Sequence, residues 1–420
     1  MDICAVGSGV VCRGVEANVP GWGGFFSPDA EIIAYICGVM KIVHTSDWHV
    51  GQKLYGYDRG DEHRAMARRV IDICVDECPD ALVVAGDLFD NDHPSSADQR
   101  LMAETFATLH DELPGLPVIA VAGNHDSPSR HESHAAIYES IGVTMTGRLV
   151  DGAGYPDRFL VDVGTGVIAA IPYYIAATVS TAELLAEARR RAGDRPVVAT
   201  GHATVMGCDL TGHDGATIGL LEAVTPERFG PEGSYDYLAL GHIHRPQWVG
   251  TSGRVRYSGS PLQVSFDEAY GHSVSVVEIA ARGAMPAVRE IAVEQPRPAV
   301  SVPASGFVEL DEGIKMLAGL DDSLDAYVRL NVLTEGMLPA SANEDAARAV
   351  SGKRCRFCLI NARRVAAVAA DRSKQSMTVE ELRMASPMEV ARSYAASVGA
   401  TLDEELFAEV MRELSTISEN

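Results

Sequence analysis

No stretch of the chain approaches the roughly 20 consecutive apolar residues that a membrane-spanning helix needs. A basic excess is missing too: 35 Lys and Arg stand against 58 Asp and Glu, a formal net charge of −23. Proteins that hold nucleic acid by bulk charge show the opposite balance. Any phosphate-bearing partner must therefore be met at a local site, through bound cations or with another subunit's help. The eight cysteines form no disulfide framework, which suits a reducing cytoplasm. Cys355 and Cys358 make one C-x-x-C, but no second pair or His-x-x-x-His follows, and in a strand-like segment the two thiols face opposite sides. A zinc site there is not expected. Internal repeats and low-complexity tracts are also lacking. What remains, at 46% hydrophobic and 22% charged over 420 residues, is a soluble globular chain of two or three domains.

Residues 1–39 differ from the rest of the chain. They are Gly-rich, without sustained period, and lack the basic start and apolar core of a signal peptide. The expectation is that the natural start is Met40 and that 1–39 is a disordered or non-native leader; a genuine appendage is the alternative. From Met40 to 295, short β-branched runs alternate with helical stretches, which predicts a layered α/β domain. Its strand candidates are KIVHTSD, ALVVAGD, PVIAVAGNHD, RPVVATGH and YDYLALGHIH. The Pro-rich segment EQPRPAVSVPA, residues 294–304, reads as a linker. Residues 296–366 then read as a small β-α-β-α-β domain whose first strand is FVEL. Residues 367–420 read as a helical tail, with capping signals at Thr378 and Glu381, at Ser386, Pro387 and Glu389, and at Thr401 and Glu404. Leu402, Leu406, Phe407, Val410, Met411 and Leu414 share one face of the last helix, which must dock on its own chain or on a partner.

Each strand candidate stops in a Gly or polar residue followed by Asp, Asn or His, so ligand-type side chains would gather at one rim. They are Asp47 and His49 (D-W-H), Asp87 (G-D-L-F-D), Asn124 (G-N-H-D), His202 (G-H), and His242 and His244 (G-H-I-H). Any one alone is weak; together, in this order, they predict a pair of divalent metal ions. Two such ions 3.5–4 Å apart, the usual spacing, clamp the attacking and leaving oxygens of a displacement at phosphorus. Asp87 is the natural bridging anion, Asp47, His49 and His244 completing one ion and Asn124, His202 and His242 the other. Imidazole and amide donors suit Mn, Fe or Zn better than Ca or Mg. His125 would face substrate as a catalytic acid, and the Asp90 carboxylate would accept its proton and orient it. His93, His131, His134 and His213 read as solvated or locally hydrogen-bonded.

This order of motifs resembles the calcineurin-like metallophosphoesterases, which implies a β-sandwich flanked by helices from Met40 to about 290. Longer strings, MKIVHTSDWHVGQ, AGNHDS, YLALGHIHRPQ and VRYSGSPLQVSFDE, are similar to the SbcD family of bacterial nuclease subunits. The resemblance implies the same seven ligands, His125 as the catalytic histidine, manganese as the metal, a capping domain, and a tail that binds an SbcC-like ATPase in a heterotetramer with two copies of each subunit. It implies cleavage of double-stranded DNA ends, hairpins and single strands, with ATP bound by the partner. No G-x-x-x-x-G-K-S/T loop occurs in this chain. Candidate DNA contacts are Arg245, Tyr257, and Lys353, Arg354 and Arg356 in an acid-free stretch that runs on to Arg363 and Arg364. A solvated strand edge is the alternative for that stretch. Against the nuclease reading stand a phosphatase or small-molecule phosphodiesterase on the same metals, and a non-catalytic scaffold; a scaffold would be expected to have lost ligands, and none is lost.

Overall fold

Runs such as Ile42-Val43 and Leu82-Val83-Val84 carry apolar side chains at odd and even positions alike, so a strand built from them must be covered on both faces. The computed structural model of the chain, which describes residues 38–152, 154–173, 179–213, 223–364 and positions 388 and 392, shows what covers them. The chain runs through β1 (Met40–Thr45), a hairpin of β2 (Lys53–Leu54) and β3 (Tyr57–Asp58), α1 (Gly60–Glu77), β4 (Ala81–Val84), α2 (Ser96–Glu112), β5 (Val118–Val121), α3 (Pro128–Tyr138) and β6 (Val143–Thr146). It continues with β7 (Leu160–Asp162), β8 (Val167–Ala169), α4 (Thr181–Ala192), β9 (Val197–His202), β10 (Tyr237–Gly241), β11 (Gln247–Val249), β12 (Val255–Tyr257), β13 (Ser273–Ile279) and β14 (Ala287–Ala292).

These strands make two six-stranded sheets, ordered β14-β13-β1-β4-β5-β6 and β11-β12-β10-β9-β8-β7. In the first, β1, β4, β5 and β6 are parallel; in the second, β8, β9, β10 and β12 are. The two-residue period of a strand divides the buried side chains between layers. Ile42, Val83, Ile119, Val198 and Ala239 belong to one core shared by strands of both sheets. Their neighbours Val43, Leu82, Val84 and Val118 pack with Met66, Val70 and Ile73 of α1 and Phe106 and Leu109 of α2. On the other side Val197, Ala199 and Leu238 pack with Leu184, Leu185 and Ala188 of α4. Positions 66, 70 and 73 recur at helical spacing, so α1 buries one stripe and leaves the rest to solvent. A capping box holds the start of α2: Ser95 Oγ accepts from the Asp98 amide, and Asp98 accepts from the Ser95 amide.

The chain divides into two compact units between Ala299 and Val300. The second has a three-stranded sheet of β15 (Ala299–Val302), β16 (Tyr327–Thr334) and β17 (Arg356–Arg364), in that order, with α5 (Leu310–Ala318) and α6 (Ala342–Ala349) between the strands. Leu317, Val328, Leu330 and Ala346 are at its core. The β-α-β-α-β order holds, but its first strand is not FVEL. Val308 makes only an isolated bridge to Val332, Leu310 already opens α5, and the strand lies in the segment read as a linker. Ala299-Val-Ser-Val is a β-favouring run between Pro298 and Pro303, and an edge strand tolerates prolines at its limits. Residues 1–37 of the leader and the tail helices, with Leu406, Phe407, Val410 and Met411, lie outside the described residues.

Candidate metal centre

The candidate ligands sit at the end of β9 and in the loops that follow β1, β4, β5 and β10, and backbone hydrogen bonds lace these segments together. Past the end of β1 the parallel register with β4 persists: the Asp47 amide donates to Gly86 O at 3.0 Å and the His49 amide to Asp87 O at 3.1 Å. The buried Asp126 carboxylate takes the amides of Leu88, Phe89 and Gly123 at 3.1, 2.9 and 2.9 Å, tying the loop after β4 to the loop after β5. Asp47 joins the two sheets by accepting from the His242 amide at 3.0 and 3.1 Å. The crowding is severe. A Cβ at Gly123 would lie 2.1 Å from Asp87 Oδ1, and one at Gly241 would lie 2.0 Å from Ala85 O. Asp47, His49, Asp87 and His242 all hold positive φ, a region costly for non-glycine residues and tolerated where surrounding structure over-determines it.

The donor atoms of the candidate ligands converge in two groups, and His49, Asp90 and His125 form a third cluster beside them. Asp47, His49 and His244 form one set and Asp87, His202 and His242 the other, the ligand atoms within each lying within 4.8 Å of one another. Asn124 Oδ1 is 2.9 Å from both His202 Nε2 and His242 Nδ1. Asp87 Oδ2 lies 3.2 Å from His202 Nε2 and 3.8 Å from His49 Nε2, between the sets, while its Oδ1 accepts the His125 amide at 2.8 Å. His49 Nε2 and His244 Nε2 point at each other across 3.3 Å. Nitrogen lone pairs so placed need a proton or a cation between them, and the remaining donors are the imidazoles of His202 and His242 with carboxylate and amide oxygens. This mixture fits a dinuclear site for divalent transition metals.

Charge behaves accordingly. Burial opposes the positive charge of His202 and His244, yet the carboxylates of Asp87 and Glu268 respectively outweigh it and raise both rings to about 9. Burial would raise Asp87, but His202 and His49 hold it below the usual carboxylate range. Burial pushes Asp47 up and His49 and His242 well down. Buried carboxylates that raise two interior imidazoles in this way draw positive charge. Metal ions bring the same charge to the same atoms.

His125 and Asn124 are exposed at the mouth of a cavity of about 280 Å³ that contains the ligands, and both also line a neighbouring cleft of about 400 Å³. His125 Nδ1 is 2.8 Å from the main-chain oxygen of Asp90. The Asp90 carboxylate was expected to orient His125; its Oδ1 lies 3.6 Å from His49 Nδ1, and the carboxylate stands in one cluster with the rings of His49 and His125, their ligand atoms within 4.8 Å of one another. The Asp90 carbonyl makes the closer contact to His125. Tyr257 needs a firmer correction as a DNA contact. It is wholly buried in β12, its hydroxyl donating to Ala203 O at 2.6 Å and accepting from the Val205 amide at 2.8 Å. Arg245 pairs with Asp209 and lies over the Tyr270 ring. In the second unit Lys353 pairs with Asp322 at 2.6 Å, and Arg354 and Arg356 pair with Asp325 at 3.0 and 2.6 Å, so acids just before β16 already compensate those charges.

Several contributors carried no motif. Glu268, 2% exposed, accepts from His244 Nδ1 at 2.7 Å and from the Val264 amide at 2.7 Å. His202 Nδ1 is anchored on Ala85 O at 2.9 Å. His131, read as solvated or locally hydrogen-bonded, is buried behind Asp126, its Nε2 3.8 Å from Oδ2. His213 is no bystander either: its ring centroid lies 5.2 Å from that of His242 and 5.4 Å from that of His244, on the cavity wall. Only the acid in the string S-F-D-E could have signalled Glu268. Removing such a ligand-orienting carboxylate costs roughly 10–100-fold in metal affinity. Glu268→Gln is expected to weaken Mn²⁺ binding by about that factor in calorimetric titration, with the fold intact by circular dichroism. Unchanged affinity would remove Glu268 from the centre.

Comparison with known proteins agrees with this geometry. The family model for calcineurin-like phosphoesterase matches residues 40–246. The chain is 36% identical over 314 residues to the SbcD subunit of the nuclease SbcCD from Rhodobacter capsulatus, covering 67% of this chain and 75% of that protein. The Bacillus subtilis protein of the same name is 31% identical over 312 residues, with 67% and 78% covered. The Escherichia coli one is 33% identical over 259 residues, with 54% and 62% covered. The chain belongs to the calcineurin-like phosphoesterases, and within them to the SbcD family of nuclease subunits.

Proposed function

We propose that the chain is the manganese-dependent nuclease subunit of a DNA-processing complex, an exonuclease on double-stranded ends and an endonuclease on single-stranded or hairpin DNA. The observation that carries this is the pair of donor sets with Asp87 between them and His125 at the cavity mouth. Two divalent ions bound there supply Lewis acidity at phosphorus and lower the pKa of water. The chain's residues do the rest. Asp47 and Asp87 bring anionic oxygens to a pocket of imidazoles, and the Asp90 carbonyl engages His125 Nδ1, which leaves Nε2 for the substrate. Protonated, His125 stabilises charge on the phosphate and delivers a proton to the leaving alkoxide.

The acidic balance of the chain and the shared family support a partner that contributes the DNA clamp, an SbcC-like ATPase in a heterotetramer with two copies of each subunit. The apolar face Leu406, Phe407, Val410 and Met411 is the proposed contact. Burying such side chains is worth about 1.5–3 kcal/mol each, ample for a stable subunit interface after ordering costs.

Three variants test these assignments. Asp87→Ala is expected to lower occupancy of both ions and to reduce Mn²⁺-dependent DNA cleavage by orders of magnitude without unfolding the chain; near-normal cleavage would overturn the dinuclear mechanism. His125→Ala is expected to keep both ions, measured by elemental analysis, while cleavage falls by about 10²–10⁴-fold. An ion lost along with activity would make His125 a ligand instead. The double change Phe407→Asp and Val410→Asp is expected to abolish co-purification with the ATPase subunit and leave single-strand cleavage and the melting temperature of the isolated subunit unchanged. A large drop in that melting temperature would mean that the helix docks on its own chain.

A further inference from the structure

Beside the metal cavity stands a feature that phosphate chemistry does not use. The β2–β3 hairpin exposes two tyrosines, Tyr55 at 52% and Tyr57 at 37%. Its two-residue turn is Tyr55-Gly56, with φ of +50° and +88°, the sign pattern of a type I′ turn. Asn or Asp is the usual occupant of the first position; an aromatic side chain there is strained and partly exposed at once. Residues that break a local rule in this way cluster at functional sites.

The hairpin is also held rigidly against the cavity wall. Leu54 is buried. Gln52 donates to Val264 O at 3.0 Å, and Arg59, almost wholly buried, reaches Gln52 Oε1, Gln263 O and Glu62. The Tyr55 ring lies 5.5 Å from the ring of Phe266. Gln52 and Val264 themselves line the metal cavity. The hairpin that carries the two exposed rings is thereby anchored to residues that line the metal cavity.

We propose that this hairpin is a nucleobase-stacking platform that seats a single-stranded DNA segment at the metal centre. The inference rests on the nuclease reading and names how that site grips its substrate. Every base offers a π face, so stacking on tyrosine is indifferent to sequence and needs no positive charge. It suits a chain with a net charge of −23, whose candidate basic contacts Arg245, Lys353, Arg354 and Arg356 are all in ion pairs.

The test compares the native full chain with the double variant Tyr55→Ala, Tyr57→Ala in Mn²⁺ on three substrates: an oligothymidylate, the same length of abasic deoxyribose phosphate, and bis(p-nitrophenyl) phosphate. The variant is expected to raise KM on the oligothymidylate about tenfold or more, the factor that losing one stacked base brings. kcat, abasic cleavage and hydrolysis of the small diester should not change, and Tyr55→Phe with Tyr57→Phe should restore KM. Binding of a 2-aminopurine-containing oligonucleotide without metal should quench fluorescence with the native chain and not with the variant. An unaltered KM overturns the platform, as does an equal loss on the abasic strand or the small diester. A variant that binds and cuts DNA normally but loses the ATPase subunit overturns it too, because the hairpin is then a protein contact. If the native chain hydrolyses the small diester but no oligonucleotide, the nuclease reading fails, and the metal-free quenching still judges the platform separately.

Discussion

Seven candidate ligands from five strand ends can share a rim only because the backbones there approach more closely than side chains normally allow. At Gly123 and Gly241 there is no room for one carbon atom, and Asp47, His49, Asp87 and His242 turn through left-handed backbone to aim inward. That geometry stores energy, which the surrounding order must offset. Asp126, with three amides on one carboxylate, and the extended β1–β4 register supply much of that order. The two helical layers and the shared core hold the strands whose ends make the loops possible.

The centre was legible in the sequence because its punctuation has a steric cause. Gly-Asp, Gly-Asn and Gly-His recur where a strand ends, and the glycine is needed for the same crowding that makes the next residue a ligand. The supporting residues left no such mark. Glu268 and Asp126 are ordinary acids until the fold buries them against His244 and three amides. His213 gains meaning only from two rings that lie some 30 residues on in the chain. Asp90 was placed beside His125, but sequence does not show that its carbonyl makes the closer contact. Tyr257 was misread because a tyrosine in a β-favouring run serves a core and a surface equally well. The edge strand β15 hid among prolines that looked like a linker. The outer architecture followed more directly from apolar runs and helical periods, since those patterns are local.

Charge unites the chain's acidic composition with its site. Carboxylates outnumber cations across the whole sequence, and the arginines and lysines seen near candidate surfaces are already engaged with acids. The interior of the centre is different: the buried carboxylates of Asp87 and Glu268 draw positive charge toward the rings of His202 and His244 against the cost of burial.

Each donor set draws on both sheets. Asp47 and His49 follow β1 and His244 follows β10; Asp87 follows β4, while His202 ends β9 and His242 follows β10. An ion held by such a set is a rivet through the open edge of the sandwich, resisting any sliding of one sheet over the other. Affinity for metal and resistance to unfolding are then linked, and an ion bound to the native state alone stabilises it by RT ln(1 + c/Kd), with c the free ion concentration. Chelation would loosen the architecture at the same rim where it stops the chemistry, so a cell short of the metal would hold a softer protein as well as a silent one.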